Sequence, residues 1–394
     1  MKPQKKRNKS LEKFARSPVI IRNIMFMFLF NKIYGLKKKK AVFTSFGGKW
    51  YSDNPKAISV KLHELYPEFE IVWLFKNPEE KQAIVPAYVR TIKSDSVKAL
   101  KELATAKFWV DNFGKSKYIY KSRSQVYIQT WHGDRGFKNV LHNVPKNIKK
   151  HYLEEKKCDL MTAGSTTGKK KLSTAFVYHG PFLEFGSPRN DQLIEDSQKR
   201  KNDIKDKLNI PVQAKIVLFA PTFRKVNKGE KQCVREINLT QVLLKLKDLT
   251  NCDWKCLVRA HPGSSPGLSL EKNKDQNIID VTMYEDMADL LLIADLLITD
   301  YSASAGDFVL KKKPVILFQP DRERYLIEER TFYFNIDESP YMVAKSQDEL
   351  IEKIIVLDEK TAKKNCEEIL SFYGAYETGK ASERVVEYMH SESC

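Results

Sequence analysis

The residues best suited to chemistry stand in short polar clusters that follow apolar runs. Two clusters contain a histidine: Thr130-Trp131-His132-Gly133 follows Val126-Tyr127-Ile128, and Arg259-Ala260-His261-Pro262 follows Trp254 to Val258. An imidazole with an ordinary pKa of about 6.5 is largely neutral at neutral pH and can accept a proton from a hydroxyl group. His132 is therefore a candidate general base, although a lone histidine also commonly has a structural role.

Three further clusters supply hydroxyl and guanidinium groups. They are Gly186-Ser187-Pro188-Arg189-Asn190-Asp191, Ala220-Pro221-Thr222-Phe223-Arg224 and Thr299-Asp300-Tyr301-Ser302-Ala303-Ser304. Arginine, histidine and helix N–H groups can together neutralise a diphosphate. This chemistry fits a diphosphate-containing donor without an obligatory metal, and we assign no metal ligands.

The turn at Ser302 and Ser304 permits two interpretations. In a βαβ step it leaves the carboxyl end of a parallel strand and opens a helix, so that N–H groups and both hydroxyls can meet a phosphate. The alternative is that a serine only caps the helix. The residues alone leave both interpretations open.

The segment Gly164-Ser165-Thr166-Thr167-Gly168-Lys169 looks like a phosphate-binding P-loop but does not satisfy the motif. Only three residues separate its glycines, and Lys170 stands where the motif requires Ser or Thr. We therefore exclude a P-loop nucleotide site here.

Alternating strands and helices position these clusters. Strands separated by helices predict parallel sheets covered on both faces, with ligands at the carboxyl ends of the strands. The predicted strands are Ala41–Phe46, Glu70–Phe75, Lys107–Val110, Gln125–Thr130, Val177–Phe185, Lys215–Ala220, Trp254–Val258, Leu296–Ile298 and Pro314–Phe318.

A chain of 394 residues exceeds what one hydrophobic core usually holds, so two doubly wound, Rossmann-like domains are expected. The charged stretch 193–208 lacks a clear strand and sets the boundary. We predict a front domain over 41–195 and a rear domain over 196–375. A terminal helix within 376–394 is expected to return to the front domain.

The net charge of +18 is concentrated at the start of the chain, where residues 1–40 contribute +12. The apolar run Ile24–Phe30 within this segment is too short to span a bilayer, which needs about 20 apolar residues. It also lacks the cleavage site of an export signal. Apolar and basic side chains together predict an amphipathic segment on an anionic membrane surface, at its cytoplasmic face. A helix packed on the protein, or a nucleic-acid arm, is the alternative; we expect no nucleic acid.

Six cysteines are scattered along the chain, and the close pair Cys252 and Cys256 lacks the second pair of a zinc site. We interpret the cysteines as free thiols in a reducing cytoplasm.

At these clusters the sequence resembles the CDP-glycerol glycerophosphotransferase family, whose members build wall teichoic acids and related glycerol- or ribitol-phosphate polymers. The resemblance covers residues 45–325 and consists of six motifs in the family's order. They are Ser45-Phe46-Gly47-Gly48-Lys49 with Tyr51–Ala57, Thr130–Gly133, Gly186–Asp191, Ala220–Arg224, Arg259–Pro262 and Thr299–Ser304.

The resemblance implies a two-domain fold of the GT-B type with a membrane-associated front domain. It also implies a CDP-alcohol donor, CDP-glycerol or CDP-ribitol, bound mostly by the rear domain. His132 would be the general base, and His261 would act with it at the diphosphate. The implied substrate-binding residues are Gly133, Arg189, Thr222, Arg224, Arg259, Asp300, Ser302 and Ser304.

Two departures from the family pattern are present, and the first of them lies on the acceptor side. After His132-Gly133 many members continue with Thr-Pro-Leu-Lys, whereas this chain has Asp134-Arg135-Gly136-Phe137-Lys138, and Ala303 replaces a serine. The short N-terminal part favours a primase or a capsule-type transferase over a long-chain polymerase.

The predicted function is transfer of a polyol phosphate to a lipid-linked glycan, with release of CMP. The alternative enzymatic function is that of a GT-B glycosyltransferase that uses a nucleotide sugar. The alternative without enzymatic activity is a membrane-bound scaffold. Glycerol versus ribitol, a divalent metal requirement and the oligomeric state stay open.

Overall fold

We describe the protein from a computed structural model, in which residues 18–114, 120–144, 157–222, 237–260 and 275–394 are described. Within these residues the chain forms two parallel β-sheets, each with helices on both faces. The predicted α/β class, with two doubly wound sheets in the GT-B arrangement, is confirmed. We call the first sheet with its helices the front lobe, and the second sheet with its helices the rear lobe.

The front lobe contains a seven-stranded parallel sheet in the order β3-β2-β1-β4-β5-β6-β7. The order changes direction between β1 and β4, which leaves a crevice where the loops after these strands diverge. The strands are β1 Lys37–Thr44, β2 Glu70–Phe75, β3 Val89–Lys93, β4 Ala106–Asp111, β5 Val126–Gln129, β6 Leu160–Thr162 and β7 Phe182–Leu183. The helices are α1 Pro18–Tyr34, α2 Asp53–Leu65, α3 Val97–Thr105 and α4 Thr166–Phe176.

The rear lobe contains a six-stranded parallel sheet in the order β10-β9-β8-β11-β12-β13, with its change of direction between β8 and β11. The strands are β8 Lys215–Ala220, β9 Trp254–Val258, β10 Ile278–Asp280, β11 Leu296–Thr299, β12 Val315–Phe318 and β13 Met342–Ala344. The helices that follow β7 are α5 Asp191–Glu195, α6 Gln198–Lys207, α7 Leu239–Thr250, α8 Met287–Ile293, α9 Ser304–Phe308, α10 Arg322–Glu328, α11 Gln347–Ile355, α12 Glu359–Tyr373 and α13 Ala381–Ser391.

Continuous apolar strands supply core to both faces of each sheet. In the front lobe Phe43 and Trp73 stack on one face, with ring centroids 5.7 Å apart. The neighbouring residue Val42 lies with Trp109 in the cluster on the other face. Successive residues of a strand point to opposite faces, so a strand covered on both sides must be apolar throughout.

The chain returns to the front lobe after α12. Tyr376 donates its backbone N–H to the carbonyl oxygen of Gly164 at 3.0 Å. Val385 and Met389 of α13 then join the hydrophobic cluster that contains Ile58 of α2. The last helix thereby fastens the end of the chain to the lobe in which the chain begins.

Helix α1 packs on the protein by one face only. Met27 is fully buried in the cluster around α3. The opposite face exposes the large apolar side chains Val19, Ile21, Met25, Phe28, Leu29, Ile33 and Tyr34. In the described part of the chain, no helix combines the length and the apolar character needed to cross a bilayer.

Several predicted elements differ from the observed ones. The strand predicted over Val177–Phe185 is wrong except at Phe182–Leu183, because Val177 ends α4 in a left-handed conformation with φ of 53°. The stretch 193–208, which gave the domain boundary, contains part of α5 and all of α6. The run Lys37–Lys40, assigned to the basic segment, is the first half of β1. The division into domains stays a prediction, and residues 1–17 lie outside the described residues.

Candidate active site

The histidine loop (residues 130–138) after β5 and the serine turn (residues 300–304) after β11 lie against each other between the lobes. A β-carbon placed on Gly133 would lie 3.3 Å from Cβ of Ala303, and one on Gly136 would lie 3.2 Å from it. Larger side chains at these glycines would push the loop and the turn apart. The two clusters predicted to do chemistry are thus in direct contact.

The imidazole of His132 has a defined orientation. Its Nδ1 lies 2.7 Å from the carbonyl oxygen of Asn112. A carbonyl oxygen only accepts hydrogen bonds, so Nδ1 carries the hydrogen and Nε2 of the neutral ring is unprotonated. The ring lies among the rings of Trp131, Phe46 and Phe113, at centroid distances of 4.0, 5.1 and 6.2 Å.

This environment favours the neutral form of His132. Burial lowers the pKa of His132, and the positive charges of Arg189 and Lys138 act in the same direction. The hydrogen bond to Asn112 and the carboxylate of Asp53 raise it, but not enough to offset burial. A neutral imidazole with a basic Nε2 is the form that a general base requires.

Asp300 joins the ends of two strands in the rear lobe. Its carboxylate oxygens accept the backbone N–H of Thr222 at 2.9 and 3.0 Å, and one also accepts the N–H of Tyr301. Its backbone carbonyl accepts a hydrogen bond from Gln319 Nε2 at 2.8 Å. Asp300 therefore holds the loop after β8 beside the serine turn, at the change of direction of the rear sheet. That role is structural, and a substrate contact of Asp300 or Thr222 stays a prediction.

The two serines of the turn bond to each other. Ser302 Oγ accepts the backbone N–H of Ser304 at 3.2 Å, and the two hydroxyl oxygens are 2.9 Å apart. The N–H that Ser302 accepts belongs to the first residue of α9. The N-cap residue of this helix is Ala303, which makes no capping side-chain hydrogen bond, so neither serine is the N-cap. Phosphate binding by the same hydroxyls stays a prediction.

Arg259 follows β9 directly, because the strand ends at Val258. β9 thus ends where the predicted strand Trp254–Val258 ends, and Arg259 lies in the segment that follows it. Its Nη1 donates to the carbonyl oxygen of Tyr284 at 2.6 Å. Predicted residues Arg224 and His261 lie outside the described residues.

Arg189 is held by carboxylates. Its Nε and Nη2 donate to Asp307 at 3.1 and 2.8 Å, and its Nη1 donates to Asp53 at 3.2 Å. Its backbone N–H donates to Asn54 Oδ1 at 3.0 Å. Every guanidinium nitrogen thus has a carboxylate partner, and the predicted substrate contact of Arg189 is untested.

Arg135 belongs to a network between the lobes that its local sequence does not predict. Its fully buried guanidinium donates to the carbonyl oxygen of Gly306 at 2.6 Å and to Asp307 at 3.0 Å in the rear lobe. Its Nη1 also pairs with Glu377 at 2.5 Å. Arginines 135 and 189 together lower the pKa of Asp307 although burial alone would raise it.

The start of α4, where the apparent P-loop lies, holds a carboxylate of the protein itself. Asp134 Oδ2 accepts a hydrogen bond from Ser165 Oγ at 2.7 Å, while Ser165 Oγ also caps the helix by accepting the N–H of Gly168 at 2.9 Å. A β-carbon on Gly168 would overlap Asp134. The position that a phosphate would take in a P-loop is therefore filled.

Two lysines of the front lobe reach acidic residues that precede α8. Lys56 Nζ lies 2.8 Å from Asp286, and Lys81 pairs with Glu285. Glu285 also accepts the backbone N–H of Tyr51 at 3.0 Å. These contacts join the lobes separately from the arginine network.

Among the described residues, no group of three or more His, Cys, Asp or Glu side chains is arranged to hold a metal ion. The cysteines of the described part, which do not include Cys233, are free thiols.

Comparison with known proteins relates this geometry to a family. Residues 24–391 match the family model described as CDP-Glycerol:Poly(glycerophosphate) glycerophosphotransferase. The chain is 32% identical over 390 residues to the teichoic acid poly(glycerol phosphate) polymerase of Staphylococcus epidermidis, covering 92% of this chain and 52% of the polymerase. It is 32% identical over 374 residues to the teichoic acid glycerol-phosphate transferase of Staphylococcus aureus, covering 88% and 92% of the two chains.

The solved structure of the wall teichoic acid polymerase TagF superposes with a TM-score of 0.83 at 28% identity, covering 98% of each chain. A TagF variant soaked with CDPG matches with a TM-score of 0.82, again at 28% identity and 98% of each chain. The chain spans about half the length of the first polymerase named above.

Proposed function

The chain belongs to the CDP-glycerol:poly(glycerophosphate) glycerophosphotransferase family, and from this premise we propose that it transfers glycerol phosphate from CDP-glycerol to an acceptor hydroxyl, releasing CMP. The contact between the histidine loop and the serine turn is the observation that carries this proposal. It means that a base of the front lobe and a phosphate-binding turn of the rear lobe can act on one substrate. Glycerol phosphate, which appears in the names of the two relatives described above at 32% identity, is preferred to ribitol phosphate.

In this reaction Nε2 of His132 takes the proton of the acceptor hydroxyl. The resulting oxygen attacks the β-phosphorus of CDP-glycerol, the bond to the bridging oxygen breaks, and CMP leaves with that oxygen. Positioning and charge neutralisation carry most of the catalysis in phosphoryl transfer. We assign the diphosphate to Arg259 and His261, with the hydroxyls of Thr222, Ser302 and Ser304 and the guanidinium of Arg224 around it.

Donor consumption tests this assignment. Purified protein is incubated with CDP-glycerol, CDP-ribitol or UDP-N-acetylglucosamine, each with a lipid-linked glycan extract and each with and without EDTA. We expect CDP-glycerol to be consumed with formation of CMP. Consumption of the UDP-sugar would instead support the glycosyltransferase alternative, and the EDTA samples decide whether a divalent metal is required.

We further propose that the acceptor is a lipid-linked glycan for teichoic acid or a related surface polymer, and that the protein works at the cytoplasmic face of the membrane. The exposed apolar face of α1, with Phe28 46% and Ile33 69% exposed, supports membrane contact. Basic side chains near such a face add attraction to anionic lipids.

Vesicle binding tests the membrane contact. Deleting all of α1 would also remove buried Met27, so the cleaner variant is Phe28→Ser/Ile33→Ser. We expect this variant to sediment less with phosphatidylglycerol vesicles than the natural protein. Ile327→Ser is the control, because Ile327 is 86% exposed on α10 of the rear lobe. If the α1 variant and the natural protein bind the vesicles equally, the exposed face of α1 does not mediate membrane binding.

A further inference from the structure

Asn112 joins the two strand ends at which the front sheet changes direction. It follows β4, and its side chain is fully buried. Its Oδ1 accepts the backbone N–H of Phe46 at 2.8 Å, and its Nδ2 lies 3.3 Å from Ser45 Oγ; both partners follow β1. Its backbone carbonyl is the group that accepts the hydrogen bond from His132. One residue thus connects β1, β4 and the imidazole.

We propose that Asn112 is a positioning residue: by fastening the end of β1 to the end of β4, it fixes the carbonyl that orients His132 and directs Nε2 towards the acceptor hydroxyl. The kinetic consequence rests on the proposed function. The orientation of the ring rests on the hydrogen bonds alone.

The backbone around the imidazole needs such fastening. Phe46 and Trp131 both have left-handed backbone conformations, with φ of 46° and 51°, which cost free energy for residues with a β-carbon. Each N–H is held by a buried amide side chain: Asn112 Oδ1 accepts from Phe46, and Gln129 Oε1 accepts from Trp131 at 2.8 Å. Without the amide of Asn112, the segment after β1 loses the bond that opposes relaxation of Phe46.

Several charged side chains near His132 already affect its pKa, and a new charge at position 112 would add to their effect. Asp53 faces the imidazole from the first residue of α2, Arg189 from the segment after β7 and Lys138 from its own loop. The carboxylate of Asp111, on the strand end that carries Asn112, accepts the N–H of residue 113 at 2.9 Å. A carboxylate at position 112 would favour the imidazolium and so raise the pKa of His132.

Two variants test the proposal by kinetics with CDP-glycerol and the lipid-linked glycan extract. We expect Asn112→Ala to lower kcat about 10²-fold with little change in KM for CDP-glycerol, since misplacing a catalytic group costs about this much. Asn112→Asp keeps an oxygen acceptor for Phe46, so we expect it to recover most of kcat at high pH. Its added charge should move the acid limb of the pH profile upward by about one unit.

The control is Asn365→Asp, which makes the same chemical change in α12 of the rear lobe. Asn365 is half-buried and its Nδ2 donates to the carbonyl oxygen of Pro340 at 2.6 Å. We expect this variant to lose some thermal stability and to keep the natural pH profile. Circular dichroism and thermal unfolding identify any variant that has not folded.

A second measurement does not depend on activity. Nitrogen-15 NMR of histidine-labelled protein, with the His132 signals assigned from His132→Gln, should show Nδ1 protonated and Nε2 unprotonated at high pH. The Asn112→Ala protein should show a mixture of the two tautomers. Failure of the natural protein to consume CDP-glycerol would remove the proposed function, and the NMR result would then decide the role of Asn112 alone.

The proposal requires both the loss of kcat in folded Asn112→Ala and the shifted acid limb in Asn112→Asp. A folded Asn112→Ala protein with kcat within about twofold of the natural one overturns it, as does an Asn112→Asp profile that coincides with that of Asn365→Asp. Where Asn112→Ala does not fold, Asn112→Asp and its NMR spectrum decide the outcome.

Discussion

The two lobes meet along two seams that are built differently. In the buried seam Arg135 has no exposed side-chain surface, and its partners Asp307 and Glu377 are 5% and 2% exposed. In the lysine seam Lys56 is 20% exposed, and Lys81 and its partner Glu285 are 11% and 26% exposed. One seam excludes water almost completely, whereas the other keeps contact with it.

The two seams therefore differ in how firmly each charged side chain is held by its partner. A buried charge is tolerated only when hydrogen bonds and opposite charges compensate it, so its partners are fixed. A partly exposed ion pair loses less when it is broken, because water can take the place of the missing partner. We therefore expect the buried seam to hold the histidine loop on the rear lobe, and the lysine seam to tolerate separation of the lobes.

The largest expected effect is the loss of Arg135. Arg135→Met removes the arginine partner of buried Glu377 and one of the two arginines that pair with Asp307. Breaking a buried ion pair in this way costs about 3–5 kcal/mol. Urea unfolding followed by tryptophan fluorescence measures the free energy of unfolding. Arg384→Met removes an arginine that is 44% exposed and serves as the control. Equal stability of the two variants would mean that the buried seam contributes little to holding the two lobes together.

A pH-dependent effect is expected from Lys171, a front-lobe lysine that donates to the carbonyl oxygen of Gly136 at 2.6 Å. Its Nζ also lies 5.1 Å from the ring centroid of Tyr333 and 4.9 Å from that of Tyr373, both in the rear lobe. Burial lowers the pKa of Lys171 to about 8. The unfolded chain then binds more protons than the folded one from about pH 8 up to the ordinary lysine pKa, and folded stability rises with pH there.

We expect the natural protein to gain about 1–2 kcal/mol of unfolding free energy, relative to Lys171→Met, between about pH 8 and about pH 10. Urea unfolding at both pH values, with the two proteins compared in the same buffers, provides the measurement. Parallel behaviour of the natural protein and the variant would show that Lys171 keeps its charge in the folded state.

The smallest effect is expected in the lysine seam. Lys81→Met should cost about 0.5–1 kcal/mol in dilute buffer and less in about 0.5 M salt, because ions screen charges that remain in contact with water. The same urea titrations measure it. If Lys81→Met lowered the free energy of unfolding as much as Arg135→Met does, or by an amount that does not change with salt, the two seams would not differ as described.

The sequence predicts the sites at strand ends better than it predicts the seams. His132 and Ser302 stand in local patterns, an apolar run followed by a polar turn, and these patterns place them correctly at the carboxyl ends of parallel strands. The partners of Arg135 could not be predicted, because Asp307 and Glu377 are 172 and 242 residues away along the chain. No local pattern connects such distant positions.

The start of β1 shows a second limit. A run of lysines has little apolar content and does not predict a strand. In the fold Lys40 is buried and lies 2.5 Å from Glu102, while Lys37 pairs with Glu70 at 3.2 Å. Glu102, supplied from later in the chain, compensates the buried charge of Lys40 in this strand.

The most direct test of the central claim is the rate of CMP release from CDP-glycerol by His132→Gln, compared with His63→Gln. His63 is the matched control, since its half-buried ring also stacks on an aromatic ring, that of Tyr88, at a centroid distance of 3.6 Å. We predict that His132→Gln loses at least about 10²-fold in kcat, as expected for removal of a general base, and that His63→Gln stays close to the natural rate. Equal rates for the two folded variants would contradict the role of His132 and, with it, the reaction assigned to the contact between the lobes.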